Sequence, residues 1–309
     1  MSVLSLRLFI LSFFLMIPFT AELPADPIRV LVWDEEQPGQ RPTYPNFIGK
    51  HIAEHLKKNS ALVVTTARLD DPDHGLSTAS LENCDVLVWW GHIRHPEVPD
   101  AKAEEIADRI EAGELSMMTL HSAHWAAPFM AAMERRAAQD AIERLSEKDR
   151  ARAKVEFKGV RERKIPARDA RVYLESEYVL ENDGSILIKL DRPDCVFPLC
   201  CHPVEPSLMR TLLPEHPIAR GVPETFTLTY TEMYDGPYGV PPADQLIFSE
   251  SWADGEHFLE SGALWNVGRG QVFYLRPGHE TYRVYYDRNI LRVIDNAAVY
   301  LGQQIRLTK

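Results

Sequence analysis

Between Ile28 and Leu145, short apolar runs alternate with segments whose apolar residues recur at helical spacing. This alternation constrains the fold more than any other feature of the chain. Ile28–Trp33 reads as a first central strand, Tyr44–Lys57 carries Phe47, Ile48, Ile52 and Leu56 on one helical face, and Ala61–Ala67 returns to a β-branched strand. Asp70–Gly75 is a turn cluster, Ser77 caps a short helix through Leu81, and Asp85–Trp90 is the next strand. Ala101–Ala112 is amphipathic and stopped by Gly113, Leu115–Leu120 is a fourth strand, and His124–Leu145 is a long alanine-rich helical stretch. The order β-α-β-α-β-α-β-α predicts an α/β fold built on a doubly wound, mostly parallel sheet with right-handed connections.

From about residue 150 to 213 the pattern changes to short β-like pieces (Arg171–Tyr173, Ser185–Leu190) separated by turns with Pro and Asp, which reads as a β-rich insertion. Strand signals resume at Phe226–Thr231, Gln245–Ser249, Gly262–Trp265 and Gln271–Leu275, and an amphipathic helix, Asn289–Leu301, closes the domain. The chain thus divides into a leader (1–27), an α/β domain (28–302) and a C-terminal tail (303–309).

Several of the apolar runs end in histidine or an acid. Asp34-Glu35-Glu36 follows the first run, His92 and His95 follow Trp89-Trp90-Gly91, His121 and His124 follow Leu120, Glu232 follows Thr231, and His279-Glu280 follows Pro277-Gly278. Ligands bind beyond the carboxyl ends of the strands in an open α/β sheet, so these groups point to one polar site. Neutral imidazole is both a common metal ligand and a good base near neutral pH. His92, His124 and His279 suffice as the three protein ligands of a catalytic zinc or similar divalent ion. That leaves Glu232, with His121 and His95, to move protons. Trp90, Trp125 and Tyr282 are candidates to stack on the apolar face of a substrate, with Glu280 beside them. Each of these residues also has a plain structural reading, as a satisfied loop histidine, a strand-end acid or a core aromatic. Ser122 stands where a nucleophile elbow would place its nucleophile but lacks the flanking glycines, and reads better as a helix cap.

Bulk composition narrows the classes. At 45% hydrophobic and 26% charged, the 309 residues can bury a sizeable core. A net charge of −11 argues against a nucleic-acid partner. The one basic stretch, Arg150 to Arg171, is broken by Glu156, Glu162 and Asp169 and reads as a solvated face. Arg7 and the apolar run Leu8–Phe19 predict a signal for export to the periplasm or outside the cell, with a retained membrane anchor as the alternative because the small-residue spacing before a cut is poor. Cys84, Cys195, Cys200 and Cys201 form no dense disulfide framework, and Cys200-Cys201-His202 lacks the C-x-x-C partner of a zinc site.

Six blocks together resemble the ThuA-like (trehalose utilisation) family: Asp70–Leu76, Asp85–His92 with His95, Leu120–His124, Glu215–Gly221, Glu232–Tyr234 and Arg276–Tyr282. They occur in order across Ile28 to Gly302. The resemblance implies a class I glutamine amidotransferase-like fold with a flavodoxin-type sheet. It also implies carbohydrate metabolism, with disaccharide or 3-keto-sugar derivatives as substrates. One departure is chemical: the elbow reads His121-Ser122-Ala123-His124, without the cysteine of true amidotransferases. Glutamine hydrolysis through a thioester is therefore not expected. The expectation is a metal-assisted sugar hydrolase or isomerase, with homo-oligomerisation left open. The alternative is a non-catalytic carbohydrate-binding protein of the same fold.

Overall fold

The computed structural model describes residues 26–161, 163, 165, 175–197, 199–201, 206–236, 238–252 and 258–308. Residues 1–25 of the expected leader, the expected strand Arg171–Tyr173 and His202 lie outside these. Among the described residues, no helix is long and apolar enough to cross a membrane.

The first half runs β1 (Ile28–Asp34), α1 (Ile48–Leu56), β2 (Leu62–Arg68), α2 (Thr78–Glu82), β3 (Val86–Trp90), α3 (Asp100–Glu111), β4 (Ser116–Leu120) and α4 (Ala127–Glu143). The expected helix over Tyr44–Lys57 starts only at Ile48, because its first turn is anchored from outside. Asp34 Oδ2 accepts the Gly49 N–H at 2.6 Å and Gln40 Oε1 accepts the Ile48 N–H at 2.7 Å, so β1 and the preceding turn satisfy amides that a helix start leaves free. Ser77 caps α2 as expected, its hydroxyl accepting the Ser80 N–H. The expected helix from His124 begins only at Ala127, after a 3-10 turn over His121–Trp125.

The second half runs α5 (Glu147–Arg150), β5 (Ala153–Phe157), β6 (Ser176–Leu180), β7 (Ile186–Leu190), β8 (Leu199–Cys201), β9 (Ser207–Thr211), β10 (Thr225–Leu228), β11 (Met233–Asp235), β12 (Gln245–Trp252), β13 (Phe258–Val267), β14 (Gly270–Leu275) and α6 (Arg288–Thr308). Residues 303–308, expected as a tail, continue α6, where Ile305 is buried.

Nine strands form one sheet in the order β10-β9-β12-β13-β14-β4-β3-β1-β2. The five from β14 to β2 are parallel, and the four from β13 outward pair antiparallel. The sheet is therefore mixed rather than mostly parallel. The reason is covalent: only Gly268 and Arg269 separate β13 from β14, with Gly268 at φ +57°, and two residues close a hairpin where a parallel crossover needs a dozen. Within 150–213, β5, β6 and β7 form a separate sheet in the order β5-β7-β6, whereas β9 joins the large sheet beside β12.

Both faces of the parallel half are covered, which explains its unbroken apolar runs. Val30, Val32 and Val88 pack with Ile48 and Ile52 of α1 and Val293, Ile294 and Leu301 of α6. Leu31, Leu87 and Met117 pack with Ile106 and Ile110 of α3 and Phe129 and Met133 of α4. The small sheet rests Ile186, Ile188 and Leu190 against Ala137 and Ala141 of α4.

Candidate functional site

Strand register builds the site. Asp34 pairs with Trp90, Trp90 with Leu120 and Leu120 with Leu275, so four parallel strands end in one row. The residues one to five positions past that row (Glu35, His92, His121, Arg276, His279, Glu280) therefore meet at a single edge, although almost 250 positions separate the first from the last.

Two imidazole–carboxylate pairs face each other there. His92 Nδ1 lies 2.5 Å from Glu280 Oε2, and His121 Nε2 lies 2.9 Å from Glu232 Oε2. The His92 and His121 rings are 5.8 Å apart, and His279 completes a triangle at 5.1 and 5.9 Å from them. His121 Nδ1 donates to the Arg276 carbonyl at 3.0 Å. Since a carbonyl can only accept, Nδ1 carries a proton, and a second proton must lie between Nε2 and Glu232. The Tyr234 hydroxyl adds a 2.8 Å bond to the same Glu232 oxygen and is itself 2.6 Å from Ser122 Oγ, so the pair extends into a buried relay.

Burial tends to raise the Glu232 pKa, but the hydrogen bond and charge of His121 outweigh it and hold the carboxyl far below its usual range. Burial likewise opposes ionisation of Glu280, yet the His92 hydrogen bond keeps it down at about 2. His92 moves the other way, because its bond to Glu280 overcomes desolvation and raises it. His279 is pushed down to about 4 by burial, and its Nδ1 accepts the Thr281 N–H at 3.2 Å, so its proton sits on Nε2.

Backbone geometry fixes these rings. His121 sits at φ +52°, the left-handed conformation typical of an elbow residue between strand and helix. Gly278 approaches so closely that an added Cβ would collide with the His121 side chain. Glu35 is fully buried, and its two oxygens accept the N–H groups of Ile93 (3.0 Å), Arg94 (2.7 Å) and His95 (2.9 Å), which ties down the loop carrying His92. Arg276 is fully buried and pairs with Glu250 Oε2 at 2.5 Å.

Beside the pairs opens a cavity of about 450 Å³, lined by His92, His124, Glu232 and Arg163 and walled by Trp125, Phe197 and Tyr234. The expected ligand set is redrawn by this geometry. The ligand atoms of His92, His279 and Glu280 lie within 4.8 Å of one another, and His124 is not among them. Its Nδ1 donates to the Cys195 carbonyl at 2.5 Å and its ring packs on Phe197 and Tyr234, which directs it to the cavity wall. Two imidazoles and a carboxylate are a donor set that suits zinc or a similar divalent ion. For His279 to ligate through Nε2, its proton would shift to Nδ1, where the Thr281 hydroxyl 2.7 Å away can accept it.

Other expected residues fall outside the cavity. His95 is fully buried behind Trp125, edge-on at 4.4 Å, and does not line it. Trp90 is fully buried in the core on the α1/α6 face, so no ring face is open to a substrate. Tyr282 packs against that core and the His279 ring at 5.2 Å, whereas Trp125 does form the wall. Glu35 and Tyr234 stood within segments read from sequence but were given no role, and Arg163 was not singled out. Tyr234 had a signal, since residues two apart on a strand share a face and Glu232-x-Tyr234 pairs an acid with a hydroxyl. Arg163 had none.

A family model described as ThuA, trehalose utilisation, matches residues 29–301. The chain belongs to the ThuA family. No curated protein matches it in sequence. Its fold is shared by ThuA-like proteins of known structure. One, from Parabacteroides merdae, is 13% identical with a TM-score of 0.55 and 90% coverage of both chains. Another, from Bacteroides uniformis, is 13% identical with a TM-score of 0.52, covering 90% of this chain and 93% of that one. At that identity the likeness concerns the fold alone. ThuA membership accounts for the site blocks occurring in order along one chain.

Proposed function

We propose that this ThuA protein is an enzyme of carbohydrate metabolism, a hydrolase or isomerase acting on a trehalose-type disaccharide or a 3-keto-sugar. The observation that carries this reading is the pair of imidazole–carboxylate couples, His92–Glu280 and His121–Glu232, each of which puts one member, His92 and Glu232, into the lining of one aromatic-walled cavity. The parallel half, in the order 2-1-3-4 with β14 next, has the flavodoxin-like arrangement, and its switch point between β1 and β3 lies at Glu35 and His92. This supports the class I glutamine amidotransferase-like reading of the fold, with histidine where those enzymes hold cysteine.

In this reading Glu232, the member of its couple that lines the cavity, passes a proton to a substrate oxygen and retrieves it, while His121, buried behind it and held by the Arg276 carbonyl, supplies and takes back that proton. The Glu280 hydrogen bond raises the His92 pKa, so in the ion-free site a second acid faces the first, and an ion held there would take the place of that proton. Tyr234 and Ser122 connect Glu232 to the buried interior rather than to bulk water. His92, His279 and Glu280 would hold a divalent ion, zinc by preference. Such an ion would polarise a carbonyl or activate water.

The test combines elemental analysis of the purified protein with product detection on 3-keto-sugars and disaccharides. About one divalent ion per chain, lost in His92→Ala and His279→Ala, together with metal-dependent turnover, is the expected result. Turnover that survives chelation and both substitutions sinks the metal centre. Heat of binding to a sugar without any product would make the protein a binder.

A further inference from the structure

The cavity lining includes a guanidinium, that of Arg163, which the proton-transfer pairs do not use. Arg161, two residues before Arg163, is tied to Glu104 Oε1 at 2.6 Å and to Glu134 Oε2 at 2.7 Å. Arg192 reaches Glu134 Oε1 at 2.7 Å. Arg163 makes no hydrogen bond, ion pair or ring contact with the other described residues, yet its side chain lines the cavity with His124 and Trp125. Asp100 attracts it only at range and Arg161 repels it, while partial burial lowers its pKa. Arg163 is exposed to solvent at the cavity mouth, so its guanidinium donors are open to an anion entering the cavity.

The remaining groups define what that anion is attached to. His124 is held neutral by burial, its pKa pushed down to about 3, and its Nδ1–H is spent on the Cys195 carbonyl. Its Nε2 therefore offers a lone pair, which takes a hydroxyl proton and not an anion. Trp125 and Phe197 supply apolar faces, and the exposed Ile93 and Ile165 stand on the cavity lining with them. Glu232 and Glu280, the carboxylates nearest the cavity, are each covered by an imidazole partner. A volume of about 450 Å³ suits a ligand of one to two sugar rings.

We propose that the substrate is an acidic sugar, bearing a carboxylate or a phosphate, and that Arg163 is the residue that selects it. This rests on the sugar reading above and adds the charge. The guanidinium grips the anion with a fork of donors, His124 accepts a ring hydroxyl, and the aromatic wall takes the apolar face of the sugar.

Titration calorimetry on the full-length chain tests it, with D-glucuronate, glucose 6-phosphate and neutral glucose as probes and Arg163→Met and Arg163→Lys as variants. One acid should bind at least about tenfold tighter than glucose, since a charge-assisted contact is lost with the neutral sugar. Which acid it is distinguishes carboxylate from phosphate. Arg163→Met should abolish that preference, Arg163→Lys should retain part of it, and added salt should weaken acid binding alone. Equal binding of acids and glucose overturns the acidic-sugar inference and leaves the sugar reading standing. A preference that survives in folded Arg163→Met overturns the role of Arg163. No binding of any probe to folded protein removes the sugar reading, and this inference with it.

Discussion

His121 combines a left-handed backbone with a ring bonded at both nitrogens, and each half of that arrangement costs something. A non-glycine residue held at φ +52° stores about 1–3 kcal/mol, which persists only because its surroundings over-determine it. Glu232 is the carboxylate partner of its Nε2. In Glu232→Gln the carboxylate that shares the proton is replaced by an amide, which can satisfy His121 Nε2 by donating to it and so leaves the ring neutral. We expect kcat to fall by about 100-fold or more and the limb of the pH profile that reports this couple to disappear, while circular dichroism stays native. A Glu232→Gln enzyme with unchanged kcat would remove the His121–Glu232 couple as the acid. Sequence reading found His92, His121, Glu232 and His279 because each follows an apolar run directly. It grouped His124 with His92 and His279 as ligands, whereas the fold brings Glu280 beside those two and sets His124 on the cavity wall. What separates them is the Cys195 carbonyl, 71 positions from His124, and the His92 ring, 188 positions from Glu280. No local pattern carries such distances.

At the scale of elements, the backbone amides of the loop after β3 converge on one buried carboxylate, Glu35. Glu35→Gln swaps one acceptor oxygen for a donor that faces the amides of residues 93–95, so at least one buried N–H loses its partner. The expected cost is about 1–3 kcal/mol in urea unfolding. Amide exchange should accelerate in residues 92–95 and stay unchanged in β3 itself. Unaltered exchange in that loop would show that other contacts hold His92. The elements of the parallel half were legible because their periodicity is local: strands buried on both faces read as apolar runs, and α1 and α3 carry clear stripes. The mixed character of the sheet was legible in principle from the two-residue gap at Gly268-Arg269. The place of β9 was not, since its strand signal says nothing of a partner some 40 residues later in β12. The basic stretch read as solvated was likewise divided by tertiary contacts, with Arg161 drawn into an acidic network against α4 and Arg163 left at the cavity.

For the whole molecule, buried histidines set the response to acid. Burial lowers His95, His124 and His279, the last two to about 3 and about 4. As pH falls below about 6.5 the unfolded chain protonates these positions while the native chain does not. The unfolded state then binds more protons, so stability drops with pH. Asp34 works in the opposite direction, because burial raises it to about 6 and the native state takes its proton first. His51, His55 and His216 are lowered by burial as well, whereas His92, Glu35, Asp194 and Glu260 are raised and act with Asp34. With Glu280 and Glu232 also held down, the balance is a net loss as pH falls from about 6 to 4, at about 1.4 kcal/mol per pH unit for each net proton. Urea midpoints measured across that range should fall steadily, and His124→Gln should flatten the slope. A midpoint independent of pH would contradict the burial of these rings. The strand order has a further consequence during synthesis. β4 ends at Leu120, but its neighbour β14 begins only at Gly270, 150 positions later. At ribosomal speeds of about 5–20 residues per second, that is about 8–30 s in which the inner edge of an apolar sheet stands open. The nascent chain therefore passes about half of its synthesis with its future centre exposed, an interval in which chaperone attendance bears on the yield of folded protein.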